Sequence, residues 1–231
     1  MTKPKPGSAR PPGELPTVSE GLVALFEAKA TDADGRIRVE DLLSAASAVC
    51  GEACIAAAGE LDPERHALTP GSVVMSDRIN AILSGDTTDW SGVGESVFGL
   101  IRAGALASGY LAADLPLLQD VFRAFAAGVG GAGAAGWGFV PLSVPADNYP
   151  RIQPVRDAYE LRASVRTLLR DHGVPASQWP AACALALVAE LARVRDAIDH
   201  RIALLLVLET VNGMAKTAPM TDEVMRSATG S

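Results

Sequence analysis

Residues 124–146 read AFAAGVGGAGAAGWGFVPLSVPA and contain no charged side chain. Gly128, Gly130 and Gly133 spell G-x-G-x-x-G, the glycine pattern of a dinucleotide-binding turn, so this stretch decides between an α/β fold and its alternatives. Such a turn needs a strand before it and a helix after it, so that the free amides of the helix N-terminus face the pyrophosphate. Neither flank complies. Upstream, residues 114–125 (DLPLLQDVFRAF) carry Leu118, Val121, Phe122 and Phe125 at helical spacing behind an Asp, the pattern of a capped helix. Downstream, residues 137–150 contain three prolines and no helical period. The stretch therefore reads as an Ala/Gly connection leaving a helix, and no nucleotide or other cofactor is expected.

Working outward, helical signals recur and strand signals are scarce. Thr17, Val18, Ser19 and Glu20 match a capping box, with Leu22, Leu25 and Phe26 behind it, and predict a first helix ending near Ala30. Residues 40–58 place Leu42, Leu43, Ala46, Val49, Cys50, Ala53 and Cys54 on one helical face. Ser76 caps a short helix carrying Ile79, Ile82 and Leu83, which Gly85 ends. A further helix is expected over 91–108, where Gly99, Ala103 and Ala107 form a small-residue ridge for close helix approach. Residues 155–172 are the clearest amphipathic segment: Val155, Ala158, Leu161, Val165, Leu168 and His172 share a stripe, opposite Arg156, Asp157, Glu160, Arg162, Arg166 and Arg170.

Ser177 caps the last long segment, and its helical pattern persists to about Lys216, with a break expected near 199–201. Its first half points Cys183, Leu187, Leu191, Val194 and Ile198 inward and Glu190, Arg193 and Asp196 outward. Residues 202–208 are apolar on every side, as in a helix at the centre of its domain or covered by another subunit.

The whole is predicted to be all-α: an irregular bundle of seven or eight helices over residues 17–218 with a long Gly/Pro-rich loop. A disordered Pro-rich leader, 1–16, precedes it and a flexible tail, 219–231, follows. The formal charge of -7 argues against a nucleic-acid partner, which requires a basic face to displace counterions. The leader has no apolar core of a secretory signal, and Gly and Pro interrupt the 124–146 run, so a cytoplasmic protein without membrane contact is expected. Cys50, Cys54 and Cys183 fit neither a disulfide framework nor a zinc knuckle and read as buried thiols, with no metal expected.

Residues 30–41 (ATDADGRIRVED) resemble an EF-hand calcium loop in outline, with Asp32, Asp34, Gly35, Ile37 and Asp41 at loop positions three, five, six, eight and twelve. Alanine stands at the first ligand position and Asp41 where a bidentate Glu is usual, so a helix–turn–helix connection with weak calcium affinity at most is the reading. Asp196 and His200 lie one turn apart, and their expected relation is a solvated ion pair. No hydrolase elbow or H-E-x-x-H motif occurs.

Three functions are expected in turn. The first is a non-enzymatic helical protein acting through self-association, as a homo-oligomer such as a dimer, and through a protein partner, with Ile202, Leu204, Leu205, Leu206 and Leu208 at the interface. The second is a small-molecule-binding protein or enzyme using Asp86, Asp89 and Trp90 together with Trp137, Asp147 and Tyr149, since aromatic faces beside carboxylates hold an amine or a base. The third is a weakly calcium-responsive helix pair at 30–41.

Overall fold

The computed structural model describes residues 15–59, 69–129 and 138–224. Gly130, Gly133, Trp137, most of the expected leader and the last residues of the expected tail lie outside them. Among the described residues there are eight α-helices and no strand: α1 (Leu15–Ala30), α2 (Val39–Ala58), α3 (Asp77–Ser84), α4 (Val97–Ala107), α5 (Leu118–Gly128), α6 (Pro154–Asp171), α7 (Trp179–Val194) and α8 (His200–Ala215). The fold is all-α. Gly128 closes a helix rather than following a strand, so the described part of the glycine run lacks the flank a dinucleotide turn needs.

Helix α2 is the axis. Its run of Ala, Ser, Gly and Cys leaves little side chain to hold neighbours away, and it packs on α8, α7, α6, α1 and α3. A Cβ at Gly51 would lie 2.6 Å from Met214 Cβ and 2.7 Å from the Val211 carbonyl oxygen, so α2 and α8 touch backbone to backbone there. This close crossing explains why both helices are buried almost all round. A window of α2 is long and apolar enough to cross a membrane, but 89% of it is covered by the rest of the chain. Around this pair, α4 packs on α7 and α5 on α8, and one contiguous core draws residues from all eight helices.

Caps set several boundaries. The side chains of Ser76, Ser96 and Asp199 accept hydrogen bonds from the amides of Ile79, Gly99 and Ile202, and each stands where its helix begins. Asp199 therefore starts α8, and the long C-terminal segment is two helices joined by residues 195–199. Thr17, by contrast, lies inside α1, which starts two residues earlier. Residues 91–96 form turns rather than the first part of α4. The expected ridge is displaced as well. Ala103 and Ala107 are exposed, and the close approach to α7 occurs at Gly104, where a Cβ would lie 2.3 Å from Val188 Cγ1.

The largest corrections concern burial. Leu204, Leu206 and Leu208, expected beneath another subunit, have no exposed surface within this chain, because α2, α5, α3 and α6 surround α8. Ile202 and Leu205 are half-buried. Glu190 and Asp157, expected to face solvent, are buried at 0% and 3% exposure, since neighbouring helices cover more of α7 and α6 than one apolar stripe implies. The start of the expected tail is docked: Met220 is buried, its carbonyl accepts from Arg162 Nη1 at 2.7 Å, and the Tyr159 hydroxyl donates to Asp222 Oδ1 at 2.9 Å.

Candidate functional site

Chain direction at the end of α8 is fixed by backbone pairing with residues 71–74. The amide of Val74 donates to the Lys216 carbonyl at 2.8 Å, and Ala218 donates to Ser72 at 2.8 Å. This strap holds Lys216, which directly succeeds α8, against α5. Its Nζ donates to Asn212 Oδ1 one helical turn back at 2.8 Å and stands 4.5 Å from the centre of the Phe122 ring and 5.9 Å from that of Phe125. Lys216 is 8% exposed, and no carboxylate forms an ion pair with it among the described residues. Burial pushes its ammonium down to about 8.

Beside Phe122 and Lys216 opens a cavity of about 320 Å³. Its other walls come from α3, through Asn80 and Ser84, and from the next turn, through Asp86, Thr87 and Thr88. The turn is tight because Gly85 ends α3 in the left-handed region and Asp86 continues it there, with φ of 59°. Among the described residues Asp86 is the one non-glycine residue with positive φ, a conformation that Asp tolerates better than most side chains but still at some cost. Asp89 closes the turn by accepting the Ser91 amide at 3.0 Å, and Thr87 Oγ1 accepts the Asp89 amide at 3.1 Å.

The residues expected to bind a ligand thus separate. Asp86 lines the cavity, whereas Asp89 serves its own turn. Trp90 is a packing residue: its indole N–H donates to the Pro116 carbonyl at 2.8 Å and its ring leans on Phe98. Residues 147–149 are held at the start of α2 instead, where Arg38 donates to the carbonyls of Asp147 and Tyr149 at 2.7 Å each and the Tyr149 hydroxyl donates to the Leu142 carbonyl. No residue of 138–149 lines the Asp86 cavity. Lys216, Phe122, Asn80, Ser84, Thr87 and Thr88 escape a sequence reading. The one available signal is that the chain has only four lysines and spends one at the end of an apolar helix.

The other polar groups that the sequence singled out are engaged within the chain. In the 30–41 loop, Asp32 Oδ1 accepts the amides of Asp34 and Arg36, Arg36 pairs with Asp34 at 2.7 Å, and Asp41 accepts the Arg151 amide at 2.7 Å. The loop carboxylates are engaged by the chain itself, and no group of three metal-ligating side chains is assembled among the described residues. His200 meets Asp114 at 3.2 Å rather than Asp196, which binds Arg195, because α8 begins after a corner and no longer continues the face of α7. All three cysteines are buried and free, and burial pushes their thiols up, Cys183 to about 12, which suppresses the thiolate. A wider groove of about 450 Å³ runs between residues 92–97 and the start of α7. Its Ser96 is occupied as the cap of α4. Comparison with protein-family models, curated proteins and solved structures finds no match.

Proposed function

We propose that this protein binds a small polar molecule in the Lys216 cavity, with Lys216 donating to an anionic or carbonyl oxygen and Asp86 accepting from a donor such as an amine. The single observation that supports this reading is the buried, uncompensated ammonium beside a cavity. Withdrawing an ammonium from water costs several kcal/mol unless it is paired, and one hydrogen bond to Asn212 with an aromatic face offsets only part of that. An oxygen ligand supplies the missing partner, and perturbed charges in clefts are characteristic of binding and catalytic sites. The cavity volume suits a metabolite-sized ligand, with Thr88 and Asn80 as further hydrogen-bonding groups.

The test is a thermal-shift panel of small carboxylates, keto acids, amino acids and amines on the unmodified chain, on Lys216→Met and on Thr88→Trp, which fills the cavity. The expected result is a saturable stabilisation by one of these classes, at least about tenfold weaker in both variants. A shift that survives in both variants overturns the reading.

A further inference from the structure

The same cavity carries a more specific chemistry, which rests on its reading as a ligand site. We propose that Lys216 captures a small aldehyde or ketone covalently, its amine condensing with the carbonyl carbon to form an imine while the ligand lies against Phe122 and the Asp86–Thr88 turn.

Several independent features converge on this. Nζ is held rather than floating, with Asn212 Oδ1 at 2.8 Å as its single acceptor among the described residues, so two of its three hydrogens have no acceptor there. The aromatic walls of Phe122 and Phe125 keep water from one side of it. No carboxylate among the described residues pairs with this ammonium to offset its burial, so about half of the amine is neutral near pH 8. Lys29 is the opposite case. Burial pulls its ammonium down, but hydrogen bonds to Glu160 and Asp157 outweigh that and hold it above the usual value.

The step balances without any redox partner. The neutral amine's lone pair forms the N–C bond as the carbonyl π pair moves to oxygen. That oxygen gains a proton and the nitrogen loses one, giving a carbinolamine. Loss of the second amine hydrogen and of the protonated hydroxyl as water leaves C=N, so amine plus carbonyl gives imine plus water. The Asp86 carboxylate and the Thr88 hydroxyl, both on residues of the cavity wall, are the groups available to relay these protons, Thr87 Oγ1 being engaged with the Asp89 backbone.

The chain's four lysines, Lys3, Lys5, Lys29 and Lys216, make the test direct. The full-length protein is incubated with glycolaldehyde and sodium cyanoborohydride between pH 6 and 9, and alkylation at each lysine is quantified by peptide mass spectrometry. The expected result is modification of Lys216 at least about tenfold faster than of Lys29, saturating with aldehyde, increasing through pH 8, and lost in the cavity-filling Thr88→Trp variant. Equal rates at Lys216 and Lys29, or a rate that never saturates, overturn the proposal. If those results come with an intact thermal shift from the small-molecule panel, only the covalent step falls; if the shift is absent too, the cavity reading falls with it.

Discussion

Two buried charges, one on α2 and one at the end of α8, receive opposite treatment. Glu52 on α2 is 7% exposed and is gripped by Arg162, whose Nε and Nη2 donate to Oε1 and Oε2 at 2.5 and 2.9 Å, with Arg166 3.7 Å away. Lys216 at the end of α8 is equally buried and meets an amide oxygen and an aromatic face but no acid among the described residues. The cavity between α2 and α6, beside Glu52, holds about 20 Å³, room for a single water, while the cavity at Lys216 holds about 320 Å³. Of these two charges, the one that helices close over is paired, and the one left without an acid stands beside open space. Glu190 is a third case: helices cover it fully, neither carboxylate oxygen is hydrogen-bonded, its ion pair with Arg193 is loose at 3.9 Å, and it lines none of these cavities, so burial without a hydrogen bond does not by itself mark a binding site.

Breaking the paired site should have the largest effect. Arg162→Met leaves the Glu52 carboxylate buried with only the distant Arg166 and is expected to destabilise the protein by about 3 to 5 kcal/mol in urea denaturation. The double variant Glu52→Met with Arg162→Met should recover most of that loss. A single-variant loss below about 1 kcal/mol would mean that the pair is no more than a surface contact.

The next effect runs the other way and depends on pH. Burial raises the Glu190 carboxyl to about 7, Arg193 opposing this and Glu27 adding to it. Between its ordinary range and pH 7 the folded chain holds a proton that the unfolded chain has released, so stability is full below about pH 4.5 and falls as pH rises through 7. Glu190→Gln should remove this fall and stabilise the protein at pH 8 by on the order of 2 to 3 kcal/mol. Parallel pH–stability curves for the two proteins would contradict the assignment.

Lys216→Met should stabilise by about 1 to 2 kcal/mol at pH 6, less than the full cost of the buried charge because the hydrogen bond to Asn212 and the Phe122 contact are lost with it. Because burial lowers this ammonium to about 8, the unfolded chain holds the extra proton between pH 8 and the usual lysine range. Stability of the unmodified protein therefore rises over that window and the advantage of the variant shrinks. A variant that is less stable than the original at pH 6 would place Lys216 among ordinary structural side chains.

The smallest change is expected from Asp86→Gly. Glycine relieves the positive φ but loosens the unfolded chain by a similar amount, so stability should move by less than about 0.5 kcal/mol. A larger loss, measured by the same denaturation, would give the Asp86 carboxylate a structural partner and remove it from the proposed ligand site.

Much of the fold was legible because it is written locally. The α6 stripe, the Ser76 cap and Gly85 stop of α3, and the corner before α8 each depend on a few neighbouring residues, whose spacing and capping chemistry are set before any helix meets another. The candidate site was legible only at Asp86, since a turn residue between helices announces itself. Trp90 and Tyr149 carry the same signals and turned out to brace the chain.

Burial is where local rules stop. Glu190 lies three residues after Leu187 and four before Val194, at the edge of the apolar stripe, and its acidic side chain gives no sign that neighbouring helices will close over it. The apolar ring at 204–208 reads equally as core or interface until α2, α3, α5 and α6 are seen around it. By itself the sequence determined the helical class, most helix limits and the buried positions Val155, Ala158, Leu161 and Val165 of α6, because periodicity and caps act within a few residues. Only the tertiary structure decided which charges lost their water and that Lys216 would stand over one cavity with Asp86, 130 positions earlier, because desolvation is set by whatever other segments pack nearby.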